Sequence, residues 1–430
     1  MSFERLRSLC LATAIAALPV SALGQPVAVA KAPTPGPAAA PAQDPIAPLP
    51  APADAQPSVE NLPPPLWTAA DASELLACIN SVHLEGLDPL DYDPAGLAAA
   101  LRSGDPAVLA KEATDRFNRI SSDVAFGHVR GEDRQAWHIV DKDLDDARQR
   151  QMLEAALATR RVSAVLQTLL PTHPQYASLK NALAMTDKAD TAKINRIRLN
   201  MDRWRWLPRE LGQKYIIVNV PAFYATLVEN GTTRWKHRAI AGATKTPTQQ
   251  LSAMATGVML NPWWEVPTSI SREVAGKPGY VAVKGKDGKV QRWRQPPGPT
   301  NALGQLKFVM YNPHNIYLHD TNARSRFSGR MRALSHGCIR TEHVLDLATE
   351  LLGDDGGEWT PDRIQAALAS KKTVEAKFVK PVPVYIVYFS AAALNDGSIQ
   401  TYQDLYNRDA KVLSALLDRK PAEATKTAQR

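Results

Sequence analysis

The chain has 430 residues, of which 44% are hydrophobic and 22% charged, and its net charge at pH 7 is +8. This length predicts two or three domains and leaves ample material for more than one hydrophobic core. The basic residues are spread along the chain without a nucleic-acid-binding motif, so the charge does not predict a nucleic-acid partner. We interpret it as a weak attraction to anionic polymers or phospholipid headgroups, or as charge that keeps the protein soluble.

Residues 1–24 have the pattern of a secretory signal peptide. Arg5 and Arg7 precede an apolar stretch over 9–20, and small residues at 22–24 form a cleavage site. The alternative is a membrane anchor, but about twelve apolar residues are too few to span roughly 30 Å of hydrocarbon. No later segment is apolar for long enough, so we expect no stable membrane span after signal cleavage. Removal of two Arg and one Glu would leave a net charge of +7.

Two segments have the composition of disordered chain. Residues 25–66 are rich in Pro and Ala and poor in large apolar residues, which predicts a semi-extended tether. Residues 419–430 are predicted to be a disordered tail. A tether of this kind lets the folded part of the protein act at a distance from the membrane.

Cysteine usage suits a secreted protein whose reactive thiol must stay reduced. Cys10 leaves with the signal, so only Cys78 and Cys338 remain. Cys78 lies in a helical pattern and is predicted to be a buried core thiol. A Cys78–Cys338 disulfide is the alternative in an oxidising compartment.

The region 67–190 is predicted to be a helical domain. Amphipathic patterns and turn signals favour the helices 71–84, 105–126, 143–158 and 161–170. No catalytic grouping stands out in this region. Its four histidines lack metal-ligand spacing and are expected to be ordinary surface or core residues: His83, His128, His138 and His173.

From residue 214 the pattern changes to short β-rich runs, which indicate a second domain over 194–395. The runs are 215–221, 223–231, 233–242, 306–311, 316–319, 373–379 and 384–389. Helical stretches are expected at 342–352 and 360–370, and the segment 396–418 should close with a helix from 404. The predicted class is therefore α+β: a helical domain followed by an antiparallel β-sandwich or barrel with peripheral helices.

A cysteine–histidine pair is the most informative feature of the sequence. His319 is followed, after fifteen residues, by Ser335-His336-Gly337-Cys338. A thiol of pKa about 8.5 attacks a carbonyl only with help, and a nearby histidine can take its proton. Gly337 lets the backbone approach a substrate, and the N–H groups of His336, Gly337 and Cys338 are candidates for an oxyanion hole. The pattern predicts acyl transfer by a cysteine nucleophile.

A metal centre is the competing interpretation of the same residues. His314, His319, His336 and Cys338 could be placed around zinc. However, the chain has no C-x-x-C or H-E-x-x-H motif, and the spacing of His336 and Cys338 is awkward for two ligands. We therefore predict no metal and no cofactor.

The motif and its surroundings resemble the YkuD-type L,D-transpeptidases, the cysteine enzymes that cross-link bacterial peptidoglycan, and more narrowly their YcbB-like branch. The similarity covers roughly 67–418 and is strong from Asn200. It is carried by NMDRWRWLP (200–208), LNPWWEVPTSI (260–270), PGPTNALGQLKF (297–308), NIYLHDT (315–321) and PVYIVYFSA (383–391). Many members insert a peptidoglycan-binding module before RWRWLP, but here only about ten residues separate 174–184 from Ile194.

The resemblance implies roles for the pair and its neighbours. Cys338 would be the nucleophile and His319 the base that activates it. A backbone carbonyl is the favoured group to orient the imidazole, and Asp320 is the less favoured one. His336 would either position substrate and tune the thiolate or stabilise the loop, and these two roles remain open.

The resemblance also implies substrate-binding residues. Arg340 would bind a substrate carboxylate, with a structural salt bridge as the alternative. Residues 271–296 would form a lid-like capping loop, shorter than usual and hard to pair into strands. The remaining residues expected at the substrate groove are Trp264, Tyr317, Asn301 and Ser335.

The function that follows is peptidoglycan cross-linking in the periplasm. Tetrapeptide stems would be donor and acceptor, the donor would lose its terminal D-amino acid, and the product would be a 3-3 link between diaminopimelate residues. A carbapenem would trap the nucleophile. Alternatives on the same site are an L,D-carboxypeptidase, a D-amino-acid exchange enzyme, an unusual link or a general cysteine protease, and from another class a non-catalytic wall scaffold. The sequence does not identify protein partners.

Overall fold

The computed structural model describes residues 66–140, 145–394 and 398–418. The predicted signal, the tether up to residue 65 and the predicted tail lie outside these residues. Within them, none of the helices combines the length and the apolar character needed to cross a bilayer. The described residues all lie in one compact unit.

The N-terminal half of the described chain is helical, as predicted. Its helices are α1 (Ala69–Ser81), α2 (Pro94–Ser103), α3 (Pro106–Phe126), α4 (Asp146–Thr159), α5 (Val162–Thr168), α6 (Pro174–Met185) and α7 (Thr191–Arg205). Four of them match the predicted segments, whereas α2, α6 and α7 were not predicted individually.

Local capping explains where these helices begin. Thr68 and Asp71 form a reciprocal capping box at the start of α1, with hydrogen bonds of 3.0 and 3.2 Å. Asp93 and Asp105 cap α2 and α3, each of which has Pro at its first position. These short polar signals are readable from sequence because they act within one helical turn.

The second half is built on strands with four further helices. The strands are β1 (Lys214–Asn219), β2 (Tyr224–Glu229), β3 (Thr232–Gly242), β4 (Leu251–Leu260), β5 (Trp264–Glu265), β6 (Val281–Lys284), β7 (Val290–Gln295), β8 (Leu306–Val309), β9 (Leu318–His319), β10 (Ala333–Ser335), β11 (Ile339–Thr341), β12 (Val374–Val387), β13 (Ala391–Ala393) and β14 (Ile399–Thr401). The helices are α8 (Ser271–Val274), α9 (Val344–Asp354), α10 (Pro361–Ala369) and α11 (Asp409–Leu417). The runs 373–379 and 384–389 form one strand, β12, and β4 was not predicted.

The main sheet closes on itself like a barrel. Its order is β10-β3-β11-β9-β8-β4-β12-β1-β2, and β2 also pairs with β3. Most pairings are antiparallel, but β1–β12, β10–β3 and β11–β9 are parallel. The α+β class is confirmed, and the sheet is mixed rather than purely antiparallel.

Two apolar clusters hold the structure together. One fills the barrel and extends under α9 and α10, with fully buried residues such as Leu306, Leu318 and Ile339. The other joins α6 and α7 to β1 and β12 and includes Trp204 and Tyr385. Because this second cluster contains residues of both the helical and the strand regions, α6 and α7 pack against the sheet and support it.

The predicted capping loop is a small folded unit. Strands β5, β7 and β6 form a three-stranded sheet, so the expectation that this stretch would be hard to pair is wrong. Val266, Ile270 and Val274 form its own apolar cluster, against which Trp264 and Trp293 pack. We call residues 264–295 the lid segment. Its short strands escaped prediction because they pair only with one another.

Candidate active site

The candidate nucleophile lies in a turn between β10 and β11. Strand β11 runs parallel to β9, with Ile339 opposite Leu318 and Arg340 opposite His319. Ile339 and Leu318 are fully buried in the barrel core. Since successive strand residues point to opposite faces, Arg340 and His319 project from the other face.

The same register brings further side chains to that face. Tyr317 and Cys338 directly precede the two strands. The Tyr317 ring lies 5.6 Å from the His319 ring, and the charges of Lys307 and Arg340 act on the Cys338 thiol. On the next strand, Lys307 pairs directly with His319. The parallel pairing thus gathers these residues into one site, which we call the catalytic face.

Hydrogen bonds within the turn fix the backbone around the thiol. The Ser335 hydroxyl donates to the Cys338 carbonyl oxygen over 2.6 Å and accepts the Gly337 N–H over 3.1 Å. Gly337 has φ +122°, a conformation that L side chains rarely adopt. The Gly337 N–H is therefore occupied and is not an oxyanion donor, contrary to the sequence expectation. The N–H groups of His336 and Cys338 make no hydrogen bond to the part of the chain that the structure describes, and they remain candidates.

The Cys338 side chain is half-buried and held as a thiol. Its Sγ donates to the Asn315 carbonyl oxygen over 3.5 Å. Burial raises the pKa of the thiol, while hydrogen bonds from Tyr317 and the charges of Lys307 and Arg340 act in the opposite direction. Because burial prevails, the resting form is the neutral thiol, and a base is needed to generate the nucleophile. Both Cys78 and Cys338 are free, so the disulfide alternative is wrong.

His319 is placed to act as a neutral base. The side chain is only 5% exposed. Burial, helped by the charges of Arg340 and Lys307, lowers the pKa of the imidazole to about 3, and the Asp320 backbone opposes this. An imidazole that is neutral at physiological pH is free to accept a proton from a thiol.

The orientation of the His319 ring does not depend on the Asp320 carboxylate. That carboxylate accepts hydrogen bonds from the Gln305 N–H at 2.9 Å and from Arg324 at 3.0 Å. The buried Nδ1 of His319 has no hydrogen-bond partner of normal geometry among the described residues. The less favoured orienting group of the sequence analysis is thereby turned away from the ring.

Tyr317 and Trp264 border the same pair. The Tyr317 ring meets the His319 ring edge-on, with centroids 5.6 Å apart. Burial raises the pKa of Tyr317, as does the neighbouring Cys338, while a hydrogen bond from Trp264 lowers it. Trp264 therefore connects the lid segment to the catalytic face, and the substrate-binding role of both aromatic residues stays a prediction.

The cations of the catalytic face form no ion pairs with acidic side chains of the described residues. Within the described residues Arg340 forms no ion pair, and its buried Nε has no hydrogen-bond partner, so the structural salt bridge is not found. Burial lowers the pKa of Arg340, as does the nearby charge of Arg326. The Nζ of Lys307 lies 5.1 Å from the centre of the Tyr317 ring. Sequence reasoning missed Lys307, although its neighbours Leu306 and Phe308 mark a strand whose alternate residues face away from the core.

His336 contacts the lid segment rather than the thiol. Its Nε2 lies 3.4 Å from the Glu273 carboxylate on α8, and both side chains are largely exposed. This contact favours the loop-stabilising role of the two left open by the sequence. An exposed pair of this kind contributes about 1 kcal/mol at most.

Two predicted groove residues are buried supports. Ser335 is 4% exposed, and its hydroxyl is used within the turn. Asn301 is fully buried, and its Nδ2 donates to the carbonyl oxygens of Pro262 at 3.0 Å and Pro296 at 2.9 Å. Their geometry corrects the expectation of substrate contact. Asn301 instead fixes the two ends of the lid segment.

Comparisons with known proteins give matches over both halves of the described chain. Residues 213–384 match the model of the L,D-transpeptidase catalytic domain named YkuD, and residues 60–183 match that of a Scaffold domain. A Haemophilus influenzae protein named "Putative L,D-transpeptidase" is 30% identical over 243 residues, which cover 50% of this chain and 48% of that protein. The chain thus spans about half the length of this curated relative.

Solved structures give a more distant likeness. An L,D-transpeptidase of Enterococcus faecium, in a cysteine-to-serine variant, is 12% identical with a TM-score of 0.24, covering 42% of this chain and 52% of that one. An L,D-transpeptidase of Mycobacterium smegmatis is 16% identical with a TM-score of 0.21, covering 41% and 58%.

The catalytic face combines a cysteine, a histidine and two cationic side chains. Over residues 213–384 the chain is similar to YkuD-type L,D-transpeptidase catalytic domains, and over residues 60–183 it is similar to a Scaffold domain. The resemblance found in the sequence is therefore confirmed at the level of the family.

Proposed function

We propose that the protein is a peptidoglycan L,D-transpeptidase that works through a thioester on Cys338. The observation that supports the proposal is the register of β9 and β11, in which Arg340 lies opposite His319 and Cys338 directly precedes the paired strand. A neutral thiol, a neutral imidazole and an unpaired guanidinium together suit attack on a peptide bond next to a carboxylate. Donor and acceptor are proposed to be tetrapeptide stems in the periplasm.

The first half-reaction forms the acyl-enzyme. Cys338 Sγ attacks the carbonyl carbon after the third stem residue while His319 takes the thiol proton. The N–H groups of His336 and Cys338 are the candidate donors to the developing oxyanion. His319 then protonates the amine of the leaving D-amino acid, and the C–N bond breaks to leave a thioester.

The second half-reaction passes the acyl group to an amine. The side-chain amine of another stem's diaminopimelate attacks the thioester carbonyl, and His319 takes its proton. Collapse of the tetrahedral adduct expels the Cys338 thiolate, which recovers the proton. The product is a 3-3 cross-link and free enzyme.

Arg340 and Lys307 supply the charge that selects the donor. The D-amino acid next to the scissile bond carries a carboxylate in a tetrapeptide donor. A guanidinium without an acidic partner binds such a group bidentately, and Lys307 adds a second positive charge on the same face. This arrangement favours a stem with a free carboxylate over an internal peptide bond and so argues against a general cysteine protease.

The test is mass spectrometry of purified disaccharide-tetrapeptide incubated with residues 67–430. Wild type is expected to yield a dimer lacking one D-alanine, and Cys338→Ala and His319→Gln to yield none. The matched control is Cys78→Ala, which removes the other retained thiol and should leave the product unchanged. Absence of any product with wild type, or equal product with Cys338→Ala, would contradict the proposal.

The same experiment separates the alternatives that share the acyl-enzyme. Tripeptide without dimer would identify an L,D-carboxypeptidase, and incorporation of an added free D-amino acid would identify an exchange enzyme. Fragmentation of the dimer reports whether the link is 3-3 or of another type. Incubation with a carbapenem should add the drug mass to wild type and not to Cys338→Ala, which a non-catalytic scaffold would not show.

A further inference from the structure

A second cluster of ligating side chains lies outside the catalytic face. His237 on β3 and the pair Glu342-His343 between β11 and α9 each bring one ligand atom to within 4.8 Å of the others. We propose that these three residues bind a divalent transition-metal ion of the Zn²⁺ type. The site is separate from Cys338 and His319, and its occupancy does not rest on the proposed reaction.

The pairing of β11 with β3 brings the three residues together. The two strands are antiparallel, with Arg340 opposite Ile240 and Thr341 opposite Ala239. The ladder continues through a 2.9 Å hydrogen bond from the Glu342 N–H to the Arg238 carbonyl oxygen. The next step along the two chains reaches His343 and His237, whose ring centroids are 4.8 Å apart.

The ligand types suit zinc. Two imidazoles and one carboxylate are an established tripod for Zn²⁺, with a fourth position left for water. Bond lengths of about 2.0–2.2 Å require the ligand atoms to lie about 3.3 Å apart. Metal binding therefore requires the present spacing, up to 4.8 Å, to close by side-chain rotation. The His343 side chain is more than half exposed, which leaves room for such a rotation.

Asp346 supplies the supporting contact that such sites need. Its carboxylate lies 3.4 Å from Nδ1 of His343, one turn further along the chain. A carboxylate on one ring nitrogen fixes the tautomer and leaves Nε2 for the metal. This contact is an observation independent of the three ligands, and it occupies Nδ1 of His343 rather than Nε2.

Arg238 is the competitor for the same carboxylate. It pairs with both oxygens of Glu342, at 2.6 and 2.8 Å. Its side chain is 42% exposed, so it can leave the carboxylate for solvent when a doubly charged ion arrives. Removal of Arg238 should therefore strengthen metal binding. If the histidines are close only by chance, removal of Arg238 should have no such effect.

The test measures zinc binding without reference to activity. The reference protein is the untagged chain from residue 25 with Cys338→Ala, so that the catalytic thiol cannot bind the ion. After treatment with EDTA and exchange into metal-free buffer, ZnCl₂ is titrated in competition with a chromogenic chelator. One ion per chain is expected, together with a rise in melting temperature on zinc addition.

Variants decide the assignment. His343→Asn keeps a residue that tolerates the observed φ of +51°, and His237→Gln keeps a polar strand residue. Each should weaken binding at least tenfold, Asp346→Asn should weaken it about tenfold, and Arg238→Gln should tighten it. The matched control is His83→Gln, an exposed histidine of the helical region, which should change nothing.

The outcomes are distinct. Loss of the zinc-dependent melting shift in His343→Asn and His237→Gln, with circular dichroism of the metal-free proteins unchanged, supports the site. No bound zinc in the reference protein, or equal affinity in the reference and both histidine variants, overturns it. Should one variant fail to fold, the other decides the question.

Discussion

The Thr248 hydroxyl donates to the Gly337 carbonyl oxygen over 2.7 Å, and this bond ties the turn that carries the nucleophile to the loop before β4. The same hydroxyl accepts the Gly242 N–H over 2.9 Å. The Tyr406 hydroxyl donates to the Gly242 carbonyl oxygen over 2.7 Å, so the C-terminal segment supports this loop in turn. A fully buried threonine thus connects three parts of the chain beneath the active site.

Thr248→Val is expected to lower the free energy of unfolding by about 1–3 kcal/mol, because it leaves buried partners without a hydrogen bond. It should also reduce kcat more than it changes KM, since the turn loses its anchor while the cations stay in place. Urea unfolding and steady-state kinetics on tetrapeptide measure the two effects. The control is Thr256→Val, whose hydroxyl makes one longer bond, of 3.3 Å, to the Val309 carbonyl. Equal effects in the two variants would contradict the anchoring role.

Gly337→Ala is expected to destabilise the protein by about 1–3 kcal/mol through backbone strain alone. A methyl group at this position meets nothing within 4 Å, so the cost comes from the φ of +122° and not from a clash. Gly329→Ala is the matched control, because its φ of −67° is ordinary and its new contacts would be normal. Thermal unfolding with little difference between the two variants would show that the strain is absent.

Asn301→Ala is expected to cost about 2–4 kcal/mol, because buried carbonyl groups at both ends of the lid segment lose their donor. The side chain bonds Pro262 and Pro296 through Nδ2, and its Oδ1 accepts the Leu303 N–H over 2.7 Å. Proteolysis within the lid segment should become faster. The control is Asn322→Ala, which removes a single exposed hydrogen bond to Thr300. If Asn301→Ala lowers the free energy of unfolding as little as this control does, Asn301 does not hold the ends of the lid segment.

Arg340→Met is expected to reduce kcat/KM for the tetrapeptide about 10- to 100-fold, the loss of a charged hydrogen bond. If Arg340 binds the terminal carboxylate, a donor with an amidated terminus should lose little further activity in this variant. The kcat/KM values of the free-acid and amidated donors, measured with wild type and with Arg340→Met, form a double-mutant-type cycle. This cycle isolates the interaction between Arg340 and the terminal carboxylate. Arg363→Met removes a cation that pairs with Glu358 elsewhere, and its rates with the two donors should equal those of wild type. If Arg340→Met still prefers the donor with a free carboxylate over the amidated donor, Arg340 does not bind the terminal carboxylate.

Alkylation of Cys338 should accelerate continuously from pH 5 to pH 9. The raised pKa of the thiol keeps it protonated at low pH, so the thiolate fraction grows as the pH rises. His319, with a pKa of about 3, stays neutral throughout and adds no second transition. Iodoacetamide rates on Cys78→Ser protein avoid the other thiol. A plateau of reactivity between pH 5 and 7 would instead reveal a preformed thiolate–imidazolium pair.

The sequence by itself determined the features that local chemistry encodes. The spacing of His319 and Cys338, the glycine between His336 and Cys338, and the caps of the helices all act over a few residues or form a recognisable motif. The helical half, the change to strands and the candidate nucleophile–base pair are therefore predictable from local patterns alone. Trp264 and Tyr317 could be assigned to the surroundings of this pair for a related reason, since they lie in segments shared with the family.

Only the tertiary structure decided what non-local strand pairing controls. Lys307 joins the catalytic face because β8 pairs with β9, and His237 meets His343 because β11 pairs with β3. Asn301 and Ser335 are buried, so their polar groups bond backbone carbonyl oxygens and hold the lid segment and the Cys338 turn in place. Register is set by packing over the whole sheet, and a one-residue shift would turn every side chain to the other face. No short stretch of sequence contains that information.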